Sequence, residues 1–162
     1  MYISKISDNS WHGILKVQEE AYTGLPPEEI NVLKSKWKVS PKTCFVFQTI
    51  DEEIVGYLLA HSWNSNVPPK LFEELPNKTT GDILYLHDLA VINNVRGMGV
   101  GKQLSNKLIE TAKLQKFKRV LLVAVQKSES YWFHLGFREI HNVPICVSYG
   151  ANAKLMSLDL PA

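Results

Sequence analysis

The glycine-rich turn at residues 96–102 constrains the fold more than any other feature of the sequence. Three of the nine glycines lie within five residues, in the segment Arg96-Gly97-Met98-Gly99-Val100-Gly101-Lys102. The apolar stretch Ile83 to Ile92 precedes the turn and predicts a buried central strand. After the turn, apolar residues recur every four positions and predict a helix over about 101–116: Val100, Leu104, Leu108 and Ala112. This order brings backbone N–H groups and a helix N-terminus together, an arrangement that favours phosphate binding.

Two other phosphate-binding motifs also use glycine-rich turns, but their spacing does not fit. A Walker loop requires Ser or Thr after its Gly-Lys pair, and here Gln103 follows Lys102. A dinucleotide-binding turn requires an acidic residue about twenty positions later, where this chain has Leu121 and Leu122. A plain structural turn remains the alternative to a phosphate site.

Strand and helix patterns along the rest of the chain predict one domain over residues 1–162. Their order, β-α-α-β-β-β-α-β-α-β-β, predicts a mixed sheet with helices on both faces. Residues 62–82 are predicted to form a long loop with one helical turn at 71–75. The predicted strands are 2–6, 43–50, 54–61, 83–92, 120–125, one starting at 137, and 153–158. The predicted helices run from a cap at Asp8 or Ser10 to Ala21, from Pro27 to about Lys38, from about Gly101 to Lys116, and from Ser128 to Leu135.

Composition excludes several classes of protein. A chain of 162 residues, 45% of them hydrophobic, buries a sufficient core without a disulfide or metal. Its net charge of +2 is too small to indicate a nucleic-acid-binding surface, and its apolar runs are too short to span a membrane. Cys44 and Cys146 lie in apolar segments and are expected to be reduced, buried thiols. We therefore expect a cytoplasmic protein that binds neither nucleic acid nor membrane.

Several motifs in sequence order resemble the GNAT superfamily of acyl-CoA-dependent N-acetyltransferases over essentially the whole chain. Arg96, Gly99 and Gly101 match the R-x-x-G-x-G pattern of its pyrophosphate loop. The segments 86–91, 121–125 and 131–137 resemble the family's fourth strand, its fifth strand and its closing helix-and-strand motif. The ending 148–156 is similar to an uncharacterised bacterial subgroup. The resemblance implies an α/β (α+β) GNAT fold, with a mixed central sheet of about seven strands, helices on both faces, and strands four and five splayed.

The resemblance also implies that acetyl-CoA is a cosubstrate and that no metal is needed. The pantetheine arm would pair with the strand-four backbone, and the pyrophosphate would rest on the N–H groups of the glycine turn, with two basic side chains in support. A plain helix cap is the alternative role for Ser128. The expected coenzyme-binding residues are Leu89, Ala90, Val91, Arg96, Gly97, Met98, Gly99, Val100, Gly101, Lys102, Ser128 and Trp132.

Acetyl transfer to an amine requires a base, and the predicted strand 83–92 holds the candidates. Alternation directs His87 and Asp88 to opposite faces, so at most one of them is expected to face the acceptor. His87 is preferred because histidine titrates near neutral pH. Tyr85 and Tyr149 are further candidates. The alternative is that His87 is a hydrogen-bonded core residue and Asp88 holds a neighbouring loop.

Near the implied acceptor site, one residue differs from the family pattern, and four others have two alternative roles. The family commonly has an acidic Tyr four residues before its Gly-Phe pair, and this chain has Trp132 there, which has no proton to transfer. Its neighbour Tyr131 points about 100° away on the helix. Four carboxylates flank the acceptor loop and are expected to face solvent, with amine recruitment as the alternative: Glu19, Glu20, Glu28 and Glu29.

The expected function is transfer of an acetyl group from acetyl-CoA to a primary amine of a small molecule or a peptide, by a monomer or homodimer. Two alternatives remain from the sequence. One is an acyl-CoA-binding module without catalysis. The other is a protein-interaction module on a GNAT scaffold, with residues 62–82 as the contact loop.

Overall fold

The computed structural model describes residues 1–24 and 26–161; Leu25, in the predicted break before the second helix, and Ala162 lie outside the described residues. The described residues form seven strands and four α-helices in the predicted order. The strands are β1 (Tyr2–Lys5), β2 (Phe45–Gln48), β3 (Ile54–Trp63), β4 (Ile83–Val91), β5 (Arg119–Ala124), β6 (Arg138–Glu139) and β7 (Lys154–Asp159). The helices are α1 (Trp11–Ala21), α2 (Ile30–Val39), α3 (Val100–Leu114) and α4 (Glu129–His134).

The strands form one mixed sheet with the order β1-β2-β3-β4-β5-β7-β6. Strand β4 is its centre, as predicted. All neighbours are antiparallel except β4 and β5, which pair in parallel from Ile83–Arg119 to Leu86–Leu122. Beyond Leu86 the two strands continue without pairing, so they splay apart. The predicted fold class is confirmed.

Helices cover both faces of the sheet because alternate residues of its strands are apolar on both sides. On one face, Leu104 and Leu108 of α3 pack against Leu58 of β3. On the other, Trp11 of α1 and Leu33 of α2 pack in a second core cluster. Full burial of a side chain as large as leucine contributes about 1.5–3 kcal/mol. The two cores hold β4 between them.

A β-bulge interrupts the pairing of β3 with β4. Leu59 pairs with Asp88 and Ala60 with Leu86, so His87 is an extra residue on β4. Alternation breaks at such a residue, and His87 and Asp88 therefore lie on the same side of the strand. The prediction that they face opposite sides is wrong for this reason.

Several element ends differ from the sequence-based predictions. Helix α2 begins at Ile30 rather than Pro27, because residue Glu29 is still extended (ψ 154°). No helix forms at 71–75, where Phe72 instead has a left-handed φ of 66°. Ser10 is the N-cap residue of α1, after a 3₁₀ turn that includes Asp8.

Two further findings concern the cysteines and membrane insertion. Cys44 is buried, whereas Cys146 is only partly buried, and both are free thiols. Within residues 1–24 and 26–161, no helix has both the length and the apolar character to cross a membrane.

Candidate active site

The gap between the splayed strands is a cavity of about 680 Å³. The end of β4, the end of β5 and the glycine turn line it. Every predicted coenzyme-binding residue except Met98 lies along this cavity: Leu89, Ala90, Val91, Arg96, Gly97, Gly99, Val100, Gly101, Lys102, Ser128 and Trp132. The side chain of Met98 is instead 56% exposed. The predicted residues thus share one elongated cavity.

The glycine turn presents backbone N–H groups at one end of this cavity. Gly97 and Gly99 have left-handed φ values of 85° and 80°, which L side chains rarely adopt. Gln103 makes the first N–H bond of α3, to the Gly99 carbonyl at 2.9 Å. The N–H groups just before it have no intrahelical acceptor, so they are available to an anion. Arg96 and Lys102 add positive charge beside them.

The backbone of β4 supplies a polar edge along the cavity. The N–H of Ile92 donates to the Val55 carbonyl of β3 at 3.0 Å. Polar groups of successive strand residues point to opposite edges, so those of Leu89 and Val91 face the gap. Those of Ala90 face β3, and the predicted backbone role applies only to its two neighbours.

A second, smaller cavity of about 70 Å³ lies next to the first. The loop after α1, the segment at 71–72 and the loop at 148–149 contribute residues to its lining. Both cavities share five lining residues: Tyr22, His87, Asp88, Val123 and Val125. The two cavities therefore meet at the bulge of β4.

His87 is held at this junction by Glu28. The side chain of His87 is 1% exposed, and its Nε2 lies 2.6 Å from Oε1 of Glu28. Burial acts to raise the pKa of Glu28, but the His87 ring and the Phe72 N–H outweigh it and lower that pKa to about 2. Glu28 is therefore ionised and accepts the proton of Nε2. The other ring nitrogen, Nδ1, is buried without a hydrogen-bond partner among the described residues.

The carboxylate of Asp88 accepts hydrogen bonds from two tyrosine hydroxyls. The hydroxyl of Tyr22 donates to Oδ1 and that of Tyr57 donates to Oδ2, each at 2.5 Å. Burial raises the pKa of Asp88, although His87 and the two hydroxyls act against it. The Tyr22 oxygen is also 3.1 Å from the Leu89 carbonyl. Both oxygens of Asp88 are thus occupied by hydroxyl groups, whereas Nδ1 of a neutral His87 ring carries a lone pair.

Comparison with protein families identifies the class of this site. A sequence model of the acetyltransferase (GNAT) family matches residues 11–137. The chain belongs to the GNAT family. Membership supports acyl transfer as the general reaction. A comparison of the sequence with curated proteins finds no significant match.

Solved GNAT structures share the whole fold of this chain. The loading GNATL domain of CurA from Lyngbya majuscula has a TM-score of 0.82 at 11% identity, over 98% of this chain and 96% of that one. The GphF GNAT-like decarboxylase in complex with isobutyryl-CoA has a TM-score of 0.80 at 15% identity, over 98% and 99%. The ribosomal-protein-S18-alanine N-acetyltransferase from Escherichia coli has a TM-score of 0.71 at 15% identity, over 98% and 92%. At these identities the likeness concerns the fold.

The aromatic candidates of this GNAT chain occupy different places. Tyr85 lies in the core with Leu121 and Leu155, away from the junction. The hydroxyl of Tyr149 lies 3.1 Å from that of Tyr85, and its ring lines the smaller cavity. Tyr85 is thus placed to support Tyr149 rather than to touch a substrate.

The helix α4 positions two aromatic residues on the larger cavity. Trp132 is 6% exposed and packs in the core beside α3. The hydroxyl of Tyr131 lies 3.1 Å from Ser105 Oγ, near the first turn of α3. Ser128 is the N-cap residue of α4, but its side chain makes no capping hydrogen bond. These three residues therefore face the larger cavity from the β5 side.

Sequence reasoning missed two members of the site. Tyr22 was not singled out, and Glu28 was expected to face solvent with the other three carboxylates. Glu19 and Glu29 are indeed exposed, and Glu20 accepts the Asn93 N–H at 2.7 Å. No local sequence signal distinguishes Glu28 from the other three carboxylates, because its partners Phe72 and His87 are distant in the chain.

Proposed function

We propose that this protein is an acetyl-CoA-dependent N-acetyltransferase that acts on a primary amine. One observation carries the proposal: the large cavity and the small cavity meet at His87, whose Nδ1 has no hydrogen-bond partner within residues 1–24 and 26–161. A coenzyme in the first cavity and an amine in the second would meet at a histidine. This arrangement suits transfer between two substrates.

The polar groups along the larger cavity support binding of acetyl-CoA. The pyrophosphate would bind the free N–H groups at the start of α3, beside Arg96 and Lys102. The pantetheine amides would pair with the gap-facing groups of Leu89 and Val91. The thioester would then lie toward His87, at the far end from the turn.

The smaller cavity would hold the acceptor, and His87 would act as its base. An ammonium group loses two protons in becoming an amide. In the proposed reaction Nδ1 of His87 takes the first, which frees the nitrogen to attack the thioester carbon. The carbon–nitrogen bond forms, the carbon–sulfur bond breaks, and the second proton neutralises the thiolate. A strand-four N–H would stabilise the oxyanion.

The ionised Glu28 would keep the ring in the productive tautomer. Because its Oε1 accepts the Nε2 proton, Nδ1 carries the lone pair whenever the ring is neutral. No protein acid is required for the leaving group, since a thiol with a pKa of about 8.5 leaves readily as thiolate. Trp132 would then only line the channel.

The test is thiol release on mixing the protein with acetyl-CoA and a panel of amines, with the acetylated acceptor identified by mass. Acceptor-dependent release supports the proposal. Coenzyme binding by calorimetry without any release would instead support a non-catalytic acyl-CoA module. Absence of coenzyme binding would support the protein-interaction alternative. Propionyl-CoA in parallel decides whether the acyl group is acetyl.

A further inference from the structure

The roof of the smaller cavity is a segment that we call the strap, residues 69–75 of the long loop between β3 and β4. Its Leu71 and Phe72 line the cavity. Four side chains from elsewhere in the fold bind its backbone. Glu28 accepts the Phe72 N–H at 2.9 Å, Ser35 accepts the Leu75 N–H at 3.0 Å, Lys36 donates to the Glu73 carbonyl at 3.0 Å, and Tyr149 donates to the Pro69 carbonyl at 2.5 Å.

Three of these four side chains, those of Ser35, Lys36 and Tyr149, belong to buried residues, so the strap is tied to the core of the fold. Lys36 is fully buried, and burial lowers its pKa. Burying a charged group without a hydrogen-bond partner is costly. The hydrogen bond from the Lys36 ammonium group to the Glu73 carbonyl of the strap supplies such a partner. Phe72 also adopts a left-handed φ of 66°, which costs about 1–2 kcal/mol for a non-glycine residue. The surrounding structure therefore imposes the position of the strap.

The volume of the smaller cavity indicates the size of the group that it holds. A water-sized group requires about 10–15 Å³ of such a volume. A cavity of about 70 Å³ thus holds roughly five to seven non-hydrogen atoms. Its walls include the apolar Leu71, Phe72 and Val123, while Glu28 supplies a negative charge next to the base. Such a cavity suits a short apolar body that ends in an ammonium group.

We propose that the acceptor is a small primary amine with a compact apolar body of about five to seven non-hydrogen atoms, bound against the strap. This inference rests on the proposed N-acetyltransferase activity. The amino terminus of a polypeptide fits this volume less well, because even two residues exceed it. The long loop is thus a roof over the substrate rather than a contact surface for another protein.

The experiment compares kcat/KM for acetyl transfer to linear alkylamines of three to ten carbons, to benzylamine, and to peptides with a free amino terminus or a lysine. We expect kcat/KM to rise to about seven non-hydrogen atoms and then to fall at least tenfold. Peptides should be at least a hundredfold poorer than the best amine. Peptides that equal or exceed the small amines would overturn this inference and leave N-acetylation intact. Coenzyme binding without transfer to any acceptor would overturn both proposals.

Loosening the strap at a distance from the cavity tests its role. The double variant Ser35→Ala with Lys36→Met removes two fastening bonds and keeps the bulk of both side chains in α2. We expect its kcat/KM for decylamine and peptides, relative to the best short amine, to rise at least tenfold. Lys38→Met, an exposed position of the same helix, is the control and should leave selectivity unchanged. Unchanged selectivity in a folded double variant, or in Ser35→Ala alone if the double variant does not fold, would overturn the role of the strap.

Discussion

Replacing Glu28 by glutamine tests whether the buried carboxylate beside His87 organises the junction. The substitution keeps the shape of the side chain and an acceptor oxygen but removes the charge. Glu28 has a pKa of about 2 in the folded chain, against 4.5 for a free glutamate. Since one pKa unit corresponds to 1.36 kcal/mol, the charge stabilises the folded state by about 3 kcal/mol at pH 7. We expect Glu28→Gln to lower the free energy of unfolding by up to this amount.

The pH dependence of this loss follows from the direction of the pKa shift. Because the pKa is lower in the folded chain, the stabilisation is complete above about pH 4.5 and disappears as the pH falls toward 2. The difference between wild type and Glu28→Gln should therefore shrink as the pH falls below 4.5. Urea denaturation followed by tryptophan fluorescence measures it, with the exposed Glu29→Gln as control. Equal unfolding free energies of wild type and Glu28→Gln at pH 7 would refute the reasoning.

Three further predictions address the turn, the core and α4. Gly101→Val places a side chain in the cavity, where its Cβ lies 3.4 Å from the Tyr131 hydroxyl. If the new side chain prevents one charge-assisted hydrogen bond to the pyrophosphate, the acetyl-CoA Kd measured by calorimetry should rise roughly 10- to 150-fold. An unchanged Kd would show that the pyrophosphate binds elsewhere. Burial lowers the pKa of His61 to about 3, below its usual 6.5, so wild type should lose up to about 1.4 kcal/mol of stability per pH unit below pH 6.5. His61→Gln should reduce this slope, and a parallel pH profile in denaturation would contradict the assignment. Trp132→Phe should keep most of the turnover if the indole only lines the channel, whereas a several-hundredfold loss with intact coenzyme binding would give the indole a direct role.

The order of elements was predictable because each pattern is local. The apolar repeat of α3 and the apolar run of β4, which only His87 and Asp88 interrupt, each specify an element and its burial without reference to the rest of the chain. The start of α2 was not predictable in the same way. Pro27 favours the first turn of a helix, but Glu28 bonds both His87 and Phe72, and this keeps the chain extended until Ile30.

The coenzyme side of the site was predictable and the acceptor side was not. The pattern that predicts the phosphate-binding turn lies within seven consecutive residues, from Arg96 to Lys102. The side of β4 on which His87 lies depends on a β-bulge. A bulge depends on the register between β3 and β4, and the sequence of β4 alone does not reveal that register. The pairing of Glu28 with His87 joins residues 59 positions apart. Such contacts arise only when the whole fold is assembled.

The measurement that tests the central claim most directly is the turnover number of His87→Gln, with the acetyl-CoA Kd measured on the same sample. Glutamine retains a hydrogen bond to Glu28 but cannot take a proton from the acceptor at neutral pH. If acetyl transfer uses Nδ1 of His87 at the junction of the two cavities, kcat should fall about 10²- to 10⁴-fold while the Kd is unchanged. A variant that binds acetyl-CoA normally and acetylates its amine at the wild-type rate would contradict the account.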